Sequence, residues 1–594
     1  MQILRWASLL FQLFLTFSGF IESSQGEAAA VLCAEQDRAS LLSFKARILR
    51  DTTEILSSWT GRDCCVDWEG VTCQPSTGRV SGLILQASAE DTGSFMKGTL
   101  SPSLANLRSL EVLVISGMKR IRGTIPDSLS NLTRLTQLVL EYNSLEGTVP
   151  SSLARLTSLQ TLSLNGNRLV GAFPPSLGNL RSVLQLNLAR NSLSGPIPPP
   201  IFGVGGLQKL QFLDLSLNLF SGSVPEFSGR FPNLTNVDLS SNQLSGQIPD
   251  SVLSLSSLSS LSLSHNRLSG RIPDRIGSLR SLSQLQLSGN RFSGQIPASI
   301  SRLQSLWNLN LSRNELSGPL PISLGRGLPS LSTIDLSYNN LSLGTTVPEW
   351  IRNRQLYDVR LAGCKLRGSL PIFTKPDSLT TIDLSDNYLA DGTSSFFANM
   401  TSLNEVKLGN NQLKFDVSKI PFPNGLRTLD LRSNQLVGPL SAILNNRTSS
   451  SLEVLDVSSN QLSGNIPELG QGSSLKVLNV AGNKIVGQIP GSISNLGELQ
   501  RLDISRNQIG GTIPPSLGQL TKLRWLDISV NGISGRIPSS FLGLGGLQHA
   551  NFRANRLCGE IPQGRPFNIF PAVAYAHNLC LCGKPLPPCR RNHQ

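Results

Sequence analysis

The stretch LQLSGNRFSGQIPASISRLQSL at residues 285–306 decides the architecture of this chain, because it recurs with small changes along most of the sequence. The same spacing of leucine-like residues, asparagine, glycine and proline is found at 478–499 (LNVAGNKIVGQIPGSISNLGEL). The asparagines form a column from Asn143 to Asn555, and most neighbours are 24 residues apart. Repetition at a fixed period predicts one elongated stack of coils, not several separate globular domains.

Each repeat begins with alternating apolar and polar residues, which is the period of a β-strand with one buried face. A single short strand cannot bury its leucines, so we expect the strands to stack into a parallel sheet along the inner side of an arc. The asparagine carries two donors and an acceptor, and we expect it to bond backbone groups of its own and the next repeat. Two positions depart from this column, Met118 in the first full repeat and Cys364 further along, where the spacing would place an asparagine. Cys364 is either a reactive thiol or a buried inert one, and burial is the commoner state.

The nine cysteines fall into two clusters and one singleton. The clusters are Cys33, Cys64, Cys65 and Cys73 near the start and Cys558, Cys580, Cys582 and Cys589 at the end. An even number at each end of a secreted chain predicts caps closed by disulfides. Zinc binding is the alternative, which the absence of any CxxC pair disfavours.

The first residues have the pattern of a secretion signal. Arg5 precedes an apolar run at 6–20 and small or polar residues at 23–26, so we expect a signal peptide over 1–26. An uncleaved anchor is the alternative, but the run is shorter than the roughly 20 residues of a membrane span. We therefore expect a secreted protein with no membrane span.

The net charge of +14 is spread over 594 residues, of which only 15% are charged. This dilution argues against nucleic acid as a partner. A weak, salt-sensitive attraction to acidic wall polysaccharides such as pectin is expected, and a generally basic, soluble surface is the alternative interpretation.

The repeat pattern LxxLxLxxNxLxGxIP resembles the plant extracellular leucine-rich-repeat class, which includes receptor-like kinases, receptor-like proteins and polygalacturonase-inhibiting proteins. LLSFKARI at 41–48 with SSWTGRDCCVDWEGVTC at 57–73 resembles the N-terminal cap of that class, and NLCLCGKPLPPC at 578–589 its C-terminal cap. Among its members the chain is most similar to the short, soluble ones, including a group named for DNA-damage tolerance. The resemblance implies the pairs Cys33–Cys64, Cys65–Cys73, Cys558–Cys580 and Cys582–Cys589.

The expected fold is an α/β leucine-rich-repeat solenoid, a curved right-handed rod with a parallel β-sheet on its concave face and disulfide-closed caps. The expected N-terminal cap covers 27–79, and about twenty repeats follow over 80–557. Repeats are irregular at 341–426, and a C-terminal cap and tail cover 558–594.

Aromatic residues of the irregular stretch either fill a looser core or form a second site. They are Trp350, Tyr357, Tyr388, Phe396, Phe397, Phe415 and Phe422.

Candidate partner contacts lie at the position just before each asparagine, which we expect at the strand edge on the concave side. Aromatic and arginine side chains dominate protein interfaces. The candidates in this column are Tyr142, Arg190, His265, Arg313, Tyr338 and Arg506, with Trp307 and Trp525 one strand position earlier. A solvated surface without a partner is the alternative for each of them.

We expect no enzyme, because the chain shows no catalytic constellation, no metal spacing among its four histidines and no phosphate-binding glycine loop. No cofactor or metal is expected.

The sequence instead indicates a secreted recognition protein that binds a protein or peptide in the plant apoplast, in signalling or defence. Receptor-kinase ectodomains and wall hydrolases are the candidate partners. The alternatives are an inhibitor of polygalacturonase and a structural wall glycoprotein.

Six sequons predict N-glycans at Asn131, Asn233, Asn310, Asn340, Asn399 and Asn446. Asn310 lies between two buried-type leucines, so a glycan there would stand on the concave face. We predict that a large partner avoids the neighbourhood of Arg313 wherever Asn310 is glycosylated. Glycopeptide mapping tests the premise, and an unmodified Asn310 would remove the obstruction.

Overall fold

A computed structural model describes residues 32–87, 93–344, 346–392, 395–445, 448 and 450–589. The predicted signal peptide at 1–26, the sequon at Asn446 and the tail at 590–594 lie outside the described residues. Within them the chain forms a leucine-rich-repeat solenoid, which confirms the expected fold.

The N-terminal cap is built around helix Glu35–Lys45, strand Ile48–Asp51 and strand Val71–Cys73. Asp37 is fully buried and bonds both the guanidinium of Arg79, at 2.8 Å, and the backbone N–H of Val80, at 2.9 Å. These bonds attach the cap to the first strand of the repeats. Disulfides Cys33–Cys64 and Cys65–Cys73 close the cap, as the resemblance implies.

Twenty strands of the described residues pair in parallel along the concave face. In chain order they are Val80–Gln86, Val112–Ser116, Gln137–Val139, Thr161–Ser163, Gln185–Asn187, Phe212–Asp214, Asn236–Asp238, Ser260–Ser262, Gln284–Gln286, Asn308–Asn310, Thr333–Asp335, Asp358–Arg360, Thr381–Asp383, Glu405–Lys407, Thr428–Asp430, Val454–Asp456, Val477–Asn479, Arg501–Asp503, Trp525–Asp527 and His549–Asn551. Each short strand buries its central residue, such as Leu186, against the neighbouring coils. Burial of a leucine contributes about 2 kcal/mol, so stability accumulates coil by coil.

Behind the concave sheet, a second set of strands pairs beside the glycine of the LSGxIP turn. They are Met96–Thr99, Lys119–Gly123, Ser144–Gly147, Arg168–Ala172, Ser192–Pro196, Leu219–Ser221, Ser245–Gly246, Arg267–Arg271, Arg291–Gly294, Glu315–Gly318, Asn340–Leu341, Arg367–Ser369, Tyr388–Asp391, Ser534–Gly535, Arg556–Glu560 and Cys580–Cys582. Gly270 in this turn has φ +81°, a left-handed conformation that glycine adopts without steric cost.

The outer side of most coils is a short 3-10 helix, which is often preceded by the proline of LSGxIP. These helices are Ile55–Ser58, Pro102–Asn106, Asp127–Asn131, Ser151–Arg155, Pro175–Asn179, Pro199–Ile201, Val252–Ser254, Asp274–Ser278, Ala298–Arg302, Pro376–Ser378, Val417–Lys419, Leu440–Ala442, Gly491–Asn495, Pro515–Gln519, Ser539–Gly543 and Ala572–Tyr575. In the described part of the chain, two coils carry α-helical turns instead, Ser323–Arg326 and Glu349–Arg352.

The asparagine column joins each coil to the preceding one, not to the next one as expected. The Nδ2 of Asn434 donates to Leu431 O in its own coil, at 3.1 Å, and to Leu408 O in the coil before, at 3.0 Å. Its Oδ1 accepts from the N–H of Leu413, again in the preceding coil, at 3.0 Å. One side chain thus satisfies backbone groups of two coils where the chain leaves the strand.

Cys364 occupies the asparagine position of its coil and is 1% exposed. Its Sγ lies 3.4 Å from Leu336 O, so the thiol replaces part of the amide's bonding. Burial raises the pKa of this thiol to about 12, which keeps it protonated and unreactive at physiological pH. The buried, inert alternative is therefore the one that the structure supports.

Aromatic residues fill part of the irregular stretch. Phe396 and Phe397 are buried, and their ring centroids are 4.8 Å apart. Phe422 continues the cluster at 5.3 Å from Phe397. For these phenylalanines the core-filling interpretation holds, whereas Tyr357 and Tyr388 are 52% and 47% exposed.

The C-terminal cap covers the last coil. Strand Cys580–Cys582 pairs with strand Arg556–Glu560, and the disulfide Cys558–Cys580 joins them. A second disulfide, Cys582–Cys589, attaches the segment that follows. The buried Tyr575 donates its hydroxyl to Phe567 O at 2.8 Å. Caps closed by disulfides at both ends are thus confirmed.

We predict that Asn434→Ala destabilises the protein by about 3 kcal/mol, because buried carbonyls and the N–H of Leu413 lose their partners. Asn434→Cys should fall between wild type and alanine, since Cys364 fills the same position naturally. Thermal and urea unfolding measure both effects. Asn424→Ala, at an exposed turn, is the matched control. Equal stability of Asn434→Ala and this control would contradict the structural role of the column.

Candidate partner-binding face

The concave face is formed by the first and third residues of each strand and by the turn that follows. In strand Gln185–Asn187 the middle residue, Leu186, is 1% exposed, while its two neighbours face outward. Since the strands are in register, side chains at equivalent positions form continuous columns along the rod.

The position before each asparagine lies in the turn after the strand and is left-handed. Its φ is +49° at Tyr142, +55° at His265 and +53° at Arg506, for example. Arg190, Arg313 and Tyr338 share this conformation. The six side chains predicted from this position therefore lie in one column at the rim of the sheet, beyond the strand and not on its edge.

The two tryptophans do not share a column, contrary to the expectation. Trp307 precedes the strand Asn308–Asn310, whereas Trp525 is the first residue of the strand Trp525–Asp527. The sequence contained the signal for this difference, because Trp307 directly follows Leu306 and lies seven residues before Asn314, whereas Trp525 follows Arg524 and lies six residues before Asn531.

Aromatic rings of the turn column lie flat over a glycine in the next coil. A Cβ on Gly166 would come within 2.7 Å of the ring of Tyr142, and a Cβ on Gly363 within 2.7 Å of the ring of Tyr338. His265 stands in the same relation to Gly289. The glycine therefore lets the ring extend along the rim, and Tyr142 and Tyr338 remain 44% and 37% exposed.

Tyr338 is the centre of a network that crosses several coils. The guanidinium carbon of Arg313 lies 4.4 Å from the centroid of the Tyr338 ring. The Tyr338 hydroxyl donates to Asp386 Oδ2 at 2.6 Å, and Asn410 Nδ2 donates to Asp386 Oδ1 at 2.8 Å. Desolvation, followed by the bond to Asp386, raises the pKa of Tyr338 to about 12. These contacts hold a half-exposed ring in one orientation before any partner arrives.

A second cluster lies near the C-terminal end of the face. The rings of Trp525 and His549 are stacked with centroids 3.7 Å apart, and the guanidinium carbon of Arg501 lies 4.6 Å from the Trp525 ring. All three are first residues of successive strands. Arg501 and His549 were missed in the sequence, although their spacing of 24 residues on either side of Trp525 was a usable signal.

Charge is distributed unevenly along the face. Strands Ser260–Ser262 and Gln284–Gln286 present only small or uncharged polar residues. From strand Asp358–Arg360 onward, ion pairs form between the first and third strand positions, as in Arg360–Asp358 at 2.9 Å. Lys407 pairs with Glu405 in the same way. Among the described residues, the ion pairs between first and third strand positions therefore lie in the half of the face after Tyr338.

The third strand position carries a column of carboxylates and amides. Asp214 Oδ1 accepts from the N–H of Ser216 at 2.9 Å, and Asn187 Oδ1 accepts from Ala189 N–H at 3.1 Å in the preceding coil. Either residue type thus closes the turn after the strand. Burial, followed by the repulsion from Asp238, raises the pKa of Asp214 to about 6.

The sequons differ in position. Asn131, Asn233, Asn340 and Asn399 are exposed. Asn310 ends a concave strand and is half-buried, and its Oδ1 accepts from Ser312 N–H at 3.0 Å. A glycan on Asn310 stays a prediction, and it would stand beside the Arg313 side chain.

Among the described residues, the only cysteine group close enough to share a metal ion is Cys33, Cys64 and Cys65. All three sulfurs belong to disulfides, so this geometry gives no support to the zinc alternative. Over the same residues, we find no helix with the length and hydrophobicity of a membrane span.

Family models match both the cap and the repeats. Residues 34–74 match the Leucine rich repeat N-terminal domain. Residues 108–169, 232–292 and 450–509, and residues 305–326, 330–353 and 522–544, match two models of the leucine-rich repeat.

Curated relatives include the DNA damage-repair/toleration protein DRT100 of Arabidopsis thaliana, 34% identical over 121 residues, which are 19% of this chain and 32% of that protein. Receptor-like protein EIX1 of Solanum lycopersicum is 36% identical over 148 residues, 23% of this chain and 14% of that protein. The matches thus span about a third or less of these relatives.

Solved structures match over most of the chain. The plant peptide hormone receptor RGFR1, in complex with RGF2, is 32% identical, with 82% of this chain and 81% of that chain covered and a TM-score of 0.60. The Arabidopsis receptor kinase HAESA, in complex with the peptide hormone IDA and the co-receptor SERK1, is 27% identical. There the coverage is 94% of this chain and 99% of that chain, with a TM-score of 0.58. The chain belongs to the plant extracellular leucine-rich-repeat family.

We predict that Asp214→Asn stabilises the protein at pH 7 and has little effect at pH 4. The pKa of this carboxyl is higher in the folded than in the unfolded chain, so wild-type stability falls as pH rises from about 4 to about 6. The loss is at most about 3 kcal/mol. Asparagine keeps the bond to Ser216 and does not ionise.

Unfolding of wild type and variant at both pH values measures this effect. Asp250→Asn removes an exposed carboxyl outside the concave sheet and controls for the change of net charge. An equal gain for Asp214→Asn at pH 4 and pH 7 would show that ionisation of Asp214 is not the cause.

Proposed function

We propose that this protein is a secreted recognition protein of the plant apoplast that binds a peptide or protein partner on its concave face, in signalling or defence. The network around Tyr338 is the observation that carries this proposal. It holds an exposed aromatic ring in place through Asp386 and Asn410, across coils that present a continuous surface. A ring fixed before binding loses little conformational entropy when a partner covers it.

The partner contacts the half of the face between Tyr338 and His549. Aromatic and arginine side chains carry most binding energy at protein interfaces, and both clusters on this half contain them. In the half before Asn310, strands Ser260–Ser262 and Gln284–Gln286 present only small or uncharged polar groups, which contribute little to affinity. A glycan at Asn310 would form the border between the two halves.

The family relationship favours a peptide as the partner. Two solved relatives that match most of this chain hold peptide hormones, and one of these also holds a co-receptor. By analogy, we expect an extended peptide along the parallel strands and assembly with the ectodomain of a receptor kinase. Binding without catalysis is the activity that we assign.

Affinity capture from apoplastic and membrane extracts, followed by mass spectrometry and then by binding assays with the purified partner, tests the proposal. We expect Tyr338→Ala and Arg501→Ala each to weaken binding by about tenfold or more. The matched control is Arg275→Ala in the outer helix Asp274–Ser278, which should bind as wild type does.

Unchanged affinity in both concave variants would refute the assigned face. Inhibition of an endopolygalacturonase at micromolar concentration would support the inhibitor function instead. Retention of pectin alone, released by moderate salt, would indicate a wall component.

A further inference from the structure

A cavity lies where the irregular stretch begins, and none of its lining residues belongs to the two concave clusters. The α-helical turns Ser323–Arg326 and Glu349–Arg352 replace the 3-10 helices of other coils, and a cavity of about 810 Å³ lies beside them. Ligand sites in proteins typically measure about 300–1,000 Å³. The cavity is therefore large enough for a small ligand or for part of a chain.

Trp350 forms the wall between this cavity and a second one of about 440 Å³, since it lines both. A Cβ on Gly325 would lie 3.2 Å from the Cβ of Trp350, so glycine there lets the tryptophan pack closely on the preceding helix. The second cavity is lined mainly by apolar residues such as Ile322, Leu343 and Pro348. The indole thus stands between a polar and an apolar compartment.

Arg354 fixes the floor of the larger cavity. Its guanidinium donates to Gly327 O at 2.8 Å and also to Leu328 O, where the helix Ser323–Arg326 has ended. Its guanidinium carbon lies 5.7 Å from the centroid of the Trp350 ring. Arg354 therefore uses its donors on backbone carbonyls of the protein itself. These contacts hold the two coils and Trp350 in position.

The remaining lining has the chemistry of a sugar site. Tyr357, 52% exposed, adds a second aromatic ring, and Asn353 and Gln355 contribute planar amides with both donors and acceptors. Aromatic faces cover the apolar C–H face of a pyranose, while amides and carboxylates bond its hydroxyl groups. The lining carries one carboxylate, Glu349, and two cations, Lys375 and Arg354. The Arg354 guanidinium is bonded to backbone carbonyls, so Lys375 is left opposite Glu349 and the cavity has no cluster of free cations that would select a polyanion.

We propose that this cavity binds a neutral oligosaccharide, with Trp350 and Tyr357 as stacking platforms and Asn353, Gln355 and Glu349 as hydrogen-bonding groups. The site is separate from the concave surface assigned to the peptide or protein partner. It gives the protein a second ligand class, the uncharged glycans of its extracellular surroundings.

Isothermal titration of the full-length glycosylated protein with cellohexaose, xylohexaose and mannohexaose tests the proposal, with a galacturonate decamer as the acidic probe. We expect saturable binding of at least one neutral hexasaccharide, weakened tenfold or more by Tyr357→Ala and by Trp350→Ala. Tyr357 is largely exposed, so its variant reports on the site even if Trp350→Ala fails to fold.

Two controls separate this proposal from the previous one. Trp307→Ala removes a tryptophan outside the cavity and should bind the sugar as wild type does, and so should Tyr338→Ala. The proposal is overturned if no neutral probe binds, if the galacturonate decamer binds more tightly, or if Tyr357→Ala binds as wild type does. None of these results bears on peptide binding at the concave face.

Discussion

The bond from each asparagine amide to the coil before it is the interaction on which the rest of the structure depends. The chain must leave every strand by a sharp turn in which backbone carbonyls and N–H groups point inward, away from water. Asn434 satisfies such groups in two coils at once, and so do its equivalents. Without that side chain the turns would bury unpaired polar groups, and the leucines could not stack. The register of the concave columns follows from this bond.

That register produces a surface on which function can vary while the fold does not. Inward leucines are fixed by packing, but the first and third strand positions and the turn are constrained only by exposure and conformation. The chain uses this freedom in two ways. It keeps strands Ser260–Ser262 and Gln284–Gln286 small or uncharged, and further along the face it builds the Tyr338 network and the Arg501–Trp525–His549 stack. The residues suited to binding are thereby grouped in two clusters, while the repeat scaffold stays the same.

The sequence predicted the scaffold well because its signals are local and periodic: strand alternation, the asparagine column and paired cysteine clusters at each end. It predicted the binding face only in part. The turn column was found, but its left-handed conformation and the direction of the asparagine bond depend on how neighbouring coils meet. Trp307 and Trp525 were placed in one column although their distances to the next asparagine, seven and six residues, already separate them. The cavity beside Trp350 arises from α-helical turns that replace the usual outer 3-10 helices. The repeat pattern of the sequence does not distinguish these two kinds of helical turn.

The aromatic rings that rest on a glycine of the following coil make two repeats into one unit. Tyr142 with Gly166, His265 with Gly289 and Tyr338 with Gly363 each join residues 24 or 25 positions apart. A duplication or deletion with a boundary between the aromatic residue and its glycine would place another residue under the ring. The Cβ of that residue would then clash with the ring. Genetic exchange of repeats, whether natural or engineered, is therefore tolerated best when its boundaries fall outside these pairs, and the modules that can be moved are longer than a single repeat.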